Sequence, residues 1–294
     1  MYRIVYSALY LVSLLPFRAL YLLSDFAAFL LYAVIRYRRD VVLSNLKTAF
    51  PEKTDKELEA ITREFYVNFT DNFIETIKLL SISEKALRKR LSVDTSVLKQ
   101  VYAKGQKVEI SLGHFFNWEI ANMAFSLNNP FDQLVVYMPI SNKIMERMFV
   151  HLRTRFGSKL IAASNFRREI TPYLRKQHCL ILVADQNAGA AEQAYWLPFF
   201  GKMASFVTGP EKNAKMNDAA VVMGCIKRVK RGYYSATLTL LTAEPKSMPN
   251  GAITKALASH IEQCIREQPA NYLWSHRRWK TPFDAEKHGH LVLE

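Results

Sequence analysis

From residue 107 to residue 267, short apolar runs alternate with stretches of helical period, and this alternation constrains the fold more than any other feature. Val108, Ile110 and Leu112 are separated by the polar residues Glu109 and Ser111, the period-two pattern of a strand. Asn117 follows at a point where its side-chain oxygen can cap a helix. The same reading places strands at 107–112, 134–138, 159–162, 179–184, 219–226 and 233–241. It places helices at 117–127, 142–156, 166–177, 208–217 and 251–267, with a loop over 185–205. Strands separated by helices imply an α/β fold, with a mostly parallel central sheet flanked by helices on both faces. Upstream, Thr54-Asp55-Lys56-Glu57 reads as a capping box. Leu58, Ile61, Phe65, Phe69, Phe73, Ile77 and Leu80 then mark one face of a long helix, and 81–95 reads as charged surface helix and turn. A chain of 294 residues can bury one such core.

Residues 4–17 and 19–35 are two apolar runs, the second broken by Asp25. Seventeen helical residues reach about 26 Å, close to the hydrocarbon thickness of a bilayer. Arg36, Arg38, Arg39 and Lys47 follow at once, which by the positive-inside rule leaves that end in the cytoplasm. Residues 1–36 therefore read as a hydrophobic helical membrane anchor and 37–294 as the catalytic domain. Asp25 and Arg18 leave a second arrangement open, with the helices lying in the interface. The formal net charge of +14 admits three partners: nucleic acid, an anionic membrane surface or an acidic protein. The apolar N-terminus beside basic residues favours the membrane. Cys179, Cys225 and Cys264 are odd in number and far apart, as expected of free buried thiols in a reducing compartment.

His114 stands where a predicted strand ends, and Glu119 falls in the first turn of the next helix. A carboxylate so placed can hold the imidazole in one tautomer and stabilise the imidazolium formed when it takes a proton. No serine or cysteine nucleophile lies within the motif, so the pair suits a base that deprotonates a substrate hydroxyl. A structural histidine is the rival reading for the spacing alone. Asp185-Gln186 follows a second apolar strand, and active sites in such sheets form at the carboxyl ends of strands. His114 and Asp185 are therefore expected to share one rim. No zinc-ligand cluster, phosphate loop, dinucleotide fingerprint or nucleophile elbow is present, and no metal or nucleotide cofactor is expected.

The blocks Gly113 to Glu119, Asp185-Gln186, Phe199-Phe200-Gly201 and Trp274-Ser275-His276-Arg277-Arg278-Trp279-Lys280 stand in a characteristic order. Together they resemble the lipid A late acyltransferases, within the lysophospholipid acyltransferase superfamily, from the N-terminus to about Pro282. The resemblance implies a glycerol-phosphate-acyltransferase-like fold and acyl transfer from a thioester to a lipid A precursor without an acyl-enzyme. In that reading His114 is the base and Glu119 orients it. Arg153 or Arg155 contacts phosphate or the oxyanion, and Asp185 organises arginines or the loop beside the site. The segment 187–203, with Phe199, Phe200 and Gly201, lines an acyl channel or dips into the membrane. Trp274 to Lys280, including Arg277 and Arg278, meets the membrane interface or supports the site, and His276 is a hydrogen-bonded structural histidine. Met138 departs from the arginine common in the family, which leaves room for another envelope lipid as acceptor. The donor is acyl carrier protein or coenzyme A, the location the bacterial inner membrane with the catalytic domain in the cytoplasm, and no nucleic acid takes part. A basic lipid-binding protein without catalysis is the reading outside enzymes.

Overall fold

The computed structural model describes residues 1–293. It opens with α1 (Tyr2–Leu14) and α2 (Phe17–Phe29), split at Pro16, and α2 runs on through a wider turn to Val34. Helices α3 (Arg39–Ala49), α4 (Asp55–Lys78) and α5 (Glu84–Arg88) lead to a short strand β1 (Leu91–Val93) and helix α6 (Ser96–Ala103). The alternating part then runs β2 (Val108–Leu112), α7 (Trp118–Ser126), β3 (Asp132–Tyr137), α8 (Lys143–Thr154), β4 (Lys159–Ala162), α9 (Phe166–Ile170) and β5 (His178–Val183). A hairpin of β6 (Tyr195–Phe199) and β7 (Lys202–Phe206) precedes α10 (Gly209–Asn217), β8 (Ala220–Lys230), β9 (Tyr233–Thr242), α11 (Ala252–Glu267) and α12 (Ala285–His288).

Seven strands form one sheet in the order β1-β9-β8-β2-β5-β3-β4, parallel except where β8 meets β9. The mostly parallel α/β architecture expected from the sequence is present. Three details differ. Pro172 lacks the N–H a helix needs, so 166–177 holds only α9 and one tighter turn. The charged stretch 81–95 contains β1, paired with β9 at the sheet edge. The segment read as a loop over 185–205 contains the β6–β7 hairpin, whose two-residue turn puts Phe200 and Gly201 at φ of 52° and 72°. Positive φ at both central residues is what a tight hairpin with right-handed strand twist requires, and glycine supplies the second without strain.

Helix α4 has the predicted capping box at Thr54 and Glu57, but its burial is two-sided. Leu58, Phe65 and Phe69 enter the core, whereas Phe73 is exposed. On its polar side Asp71 accepts from Ser24 of α2 and pairs with Arg228 and Arg231, and Arg231 also holds Asp25. The acidic residue that interrupts the apolar run thus ties α2 to the domain. Leu20, Ser24 and Ala28 are buried there, while Leu22, Phe26 and Phe29 on the opposite side remain exposed. The stretch Phe17–Val34 is long and apolar enough to cross a membrane.

Glu109 of β2 is fully buried and accepts from Asn213 of α10. Burial pushes its carboxyl up to about 8, against a smaller lowering by Asn213 and Ser111. A carboxyl raised on folding contributes stability below its unfolded value, and that contribution is lost as pH rises through the folded value. Glu109→Gln, which needs no proton, is therefore expected to lose less stability than the parent between about pH 5 and 8 in urea melts.

Candidate active site

Strands β2 and β5 are parallel neighbours in the register Leu112 with Val183. His114 and Asp185 each lie two positions beyond those partners, so the topology sets them side by side at the carboxyl rim. Asp185 Oδ1 lies 2.6 Å from His114 Nδ1, and Oδ2 accepts the His114 backbone N–H at 3.1 Å. Burial alone would raise this carboxyl; the His114 ring, its backbone N–H and the Tyr272 hydroxyl outweigh that and bring it to about 2. An ionised carboxylate against Nδ1 keeps the proton on that nitrogen, which leaves Nε2 with its lone pair toward the cavity. Gln186 Nε2 stands 3.3 Å from it.

The carboxylate that orients His114 is thus Asp185, a correction to the expected role of Glu119. Glu119 sits in the first turn of α7 as read, but its oxygens face Arg153 of α8. Arg153 Nε lies 3.1 and 3.0 Å from the two oxygens and Nη2 lies 2.5 Å from Oε1, while the Trp118 indole donates at 3.2 Å. Such a forked pair fixes the guanidinium plane. Asn117 sets this geometry: its Oδ1 caps α7 through the N–H groups of Glu119 and Ile120, and its amide donates to buried Glu75 of α4. Glu75 also accepts from Tyr21 of α2 and Tyr234 of β9, so the N-terminal helices are bonded to the residue that holds the motif.

His114, Trp118, Glu119, Arg153 and Gln186 line a cavity of about 890 Å³. Its lining also includes the apolar residues Ile110, Leu112, Phe125, Ile181, Val183 and Ile226, with Leu91 of β1 and Ala236 and Leu238 of β9. Asn187, Gly189 and, at the start of α10, Gly209, Pro210 and Asn213 line it too. Met138 stands at the rim, 71% exposed. Among the described residues no group of three or more His, Cys, Asp or Glu side chains is arranged to hold a metal ion.

Three further expectations are corrected. Arg155 faces away from the cavity and donates to the Leu79 carbonyl at 2.5 Å. Phe199 and Phe200 do not line the cavity: they stack edge-on with Phe206 and Phe50 in the core, and Gly201 completes their turn. The aromatic richness of 187–203 reflects ordinary core packing, which explains the misreading. Arg277 is exposed and Arg278 is buried between Phe199 and Phe206, and neither lines the cavity as a ligand contact would. Of the two readings of 274–280, the membrane interface or a structural role, Trp274 takes the second: it is fully buried with its indole on the Pro269 carbonyl. His276 accepts the Asn187 backbone N–H at 3.2 Å, the structural role expected of it. The residues missed by sequence reasoning are Tyr272, Asn117 as a bridge, and Glu75. Their signal is polar identity within apolar surroundings, visible only once the partner elements are known.

A mostly parallel α/β sheet carries a histidine and a carboxylate side by side at its carboxyl rim, next to a largely apolar cavity. The chain belongs to the bacterial lipid A biosynthesis acyltransferase family, whose profile matches residues 2–281. It is 24% identical over 271 residues to the lipid A biosynthesis palmitoleoyltransferase of Escherichia coli (strain K12), covering 91% of this chain and 87% of that one. It is 23% identical over 280 residues to the lipid A biosynthesis lauroyltransferase of the same organism, covering 94% and 90%. A lipid A biosynthesis acyltransferase of Haemophilus influenzae is 23% identical over 284 residues, covering 95% and 87%.

Proposed function

We propose that this acyltransferase moves a fatty acyl chain from an acyl thioester to a hydroxyl of a lipid A precursor, with His114 as general base. The observation that carries the reading is the asymmetry of His114: Nδ1 is held by Asp185, while the ring lines a cavity with a mostly apolar wall. His114 Nε2 takes the hydroxyl proton as the oxygen attacks the thioester carbonyl. The tetrahedral oxyanion is stabilised by Arg153, whose plane Glu119 fixes. Collapse breaks the carbon–sulfur bond, and the departing thiolate takes the proton back from the imidazolium. No covalent acyl-enzyme and no metal or nucleotide cofactor enters this sequence of steps.

The part of the cavity lined by Ile110, Leu112, Phe125, Ile181, Val183 and Ile226 takes the acyl chain, since these side chains are all apolar. The chain's donor is acyl carrier protein: its acidity complements a protein of net charge +14. The exposed apolar face of α1 and α2, with Leu11, Leu22, Phe26 and Phe29, seats in the inner membrane, and the basic residues after it keep the catalytic domain on the cytoplasmic side. Met138 at the rim in place of arginine favours a second acceptor, another envelope lipid with one phosphate contact fewer. Incubation of the purified protein with a lipid A precursor and matched acyl carrier protein or coenzyme A thioesters tests the reading. Ester formation with the carrier-protein thioester supports it; thioester cleavage without any acylated lipid contradicts it.

The apolar lining also makes a prediction about chain length. Ala236→Phe places a ring in the wall of the cavity on β9. At about 0.8 kcal/mol per buried methylene, excluding four of them turns the preference toward shorter donors by roughly 200-fold. Competition between thioesters of different length, read by mass spectrometry of the product, checks it; an unchanged preference places the chain elsewhere.

A further inference from the structure

A second, smaller cavity of about 110 Å³ adjoins the first: Trp118, Glu119, Ile140 and Arg153 line both. Its remaining walls are Asn72, Phe73 and Thr76 of α4 and Phe149 of α8. Asn72 is buried, at 2% exposure, yet its Oδ1 has no hydrogen-bond partner. A buried amide oxygen left unpaired is costly, and such groups are ordinarily satisfied. Asn72 and Thr76 are four apart on α4 and so share one face of that helix. The space exceeds what a single water needs. Its polar walls offer acceptors more than donors. The Trp118 indole N–H and Arg153 Nε and Nη2 are already given to Glu119. Thr76 gives its hydroxyl proton to the Asn72 carbonyl at 2.7 Å, which leaves its oxygen only lone pairs to offer. Asn72 Oδ1 can only accept. Such a wall suits a neutral donor, a hydroxyl or an amide N–H, and disfavours a phosphate.

Resting on the reading of this site as one that acylates a lipid hydroxyl, we propose that the smaller cavity is a subsite for the acceptor. It takes a hydroxyl or amide N–H of that lipid other than the hydroxyl that reacts, and Asn72 Oδ1 accepts from it. The division of the walls favours the acceptor over the acyl chain. The larger cavity carries the apolar lining that suits the chain, whereas the smaller one joins Asn72 to Arg153, the residue assigned to the oxyanion. A lipid that seats a donor on Asn72 passes Arg153 and Trp118 on its way to the base, and the Trp118 ring meets His114 edge-on at 5.8 Å. Asn72 is then a specificity-determining residue, because an acceptor without the donor leaves Oδ1 unpaired.

The test is steady-state acyl transfer by the full chain carrying Asn72→Leu. KM is measured separately for the lipid A precursor and for the acyl carrier protein thioester, and folding is followed by thermal melting. Leucine removes the unpaired oxygen and has the adjoining cavity for its extra volume, so the melting temperature is expected to hold or rise. KM for the precursor is expected to rise roughly 10- to 100-fold, with kcat and the thioester KM within about threefold of the parent. Asn72→Ser, a smaller side chain, carries the same kinetic expectation if Asn72→Leu does not fold. Two model acceptors, a hydroxyacyl chain joined to a sugar through an amide or through an ester, tell the donors apart. An effect on KM confined to the amide assigns the N–H, an effect on both assigns a hydroxyl, and either upholds the subsite. An unmoved precursor KM in the folded variant means that the cavity holds water only, and overturns the proposal. So does a loss confined to kcat or to the thioester KM. Failure of the underlying reading looks different: the parent itself would then acylate no precursor, and the subsite would fall with it.

Discussion

Replacing His114 by alanine is expected to lower acyl transfer by about 10³- to 10⁴-fold, at the upper end of what a positioned general base contributes. The size follows from the absence of a substitute. Gln186, the other polar group at that nitrogen, cannot take a proton at neutral pH, and Glu119 is committed to Arg153. His276 faces the Asn187 backbone, and burial disfavours its charged form. The ring is partly exposed, with 22% of its side chain accessible, so the loss of stability should stay within about 1–2 kcal/mol. Steady-state transfer rates beside thermal melts check both halves. A variant that melts normally and still transfers at a tenth of the parental rate would remove His114 from the chemistry.

Asp185→Asn is expected to cost about as much, roughly 10³- to 10⁴-fold, although it changes one atom. Asp185 uses both oxygens, one on the ring nitrogen and one on the His114 backbone N–H. Asparagine has a single acceptor oxygen. If the backbone N–H keeps it, the amide N–H₂ meets Nδ1, that nitrogen loses its proton, and the proton sits on Nε2, where no base remains. Glu119→Gln should behave differently. It leaves the tautomer intact and loosens Arg153, at a cost of about 10- to 100-fold, the range for a supporting residue. The ordering of the two variants separates the geometry found here from a site in which Glu119 holds the ring: equal losses, or a larger one for Glu119→Gln, would favour the latter.

Much of this architecture was legible because it is periodic. The alternation in β2 and the cap at Asn117 placed His114 and Glu119 within a residue or two, and the apolar run before Asp185 placed it on the same rim. What periodicity could not settle was which carboxylate faces the ring. Glu119 is close to His114 in sequence, but helix α7 turns its side chain toward α8, while Asp185 is distant in sequence and adjacent in the sheet. The same limit explains Phe199 and Phe200. An aromatic cluster in a segment without clear alternation reads equally as a channel or as core, and only the β6–β7 pairing turns it inward. Arg278 shows a related limit: an arginine beside tryptophans reads equally as surface or as support for a site, and only its enclosure between Phe199 and Phe206 decides. In each case the missing information was a contact between elements far apart in the chain.

The proposed acylation of a lipid A precursor through His114 is tested by mass spectrometry of lipid A and total lipids from cells that lack the gene, with wild type or His114→Ala supplied in its place. Lipid A one acyl chain short, restored by wild type and not by His114→Ala, is the predicted result. Lipid A and every other lipid unchanged on deletion, or full restoration by His114→Ala, would contradict it.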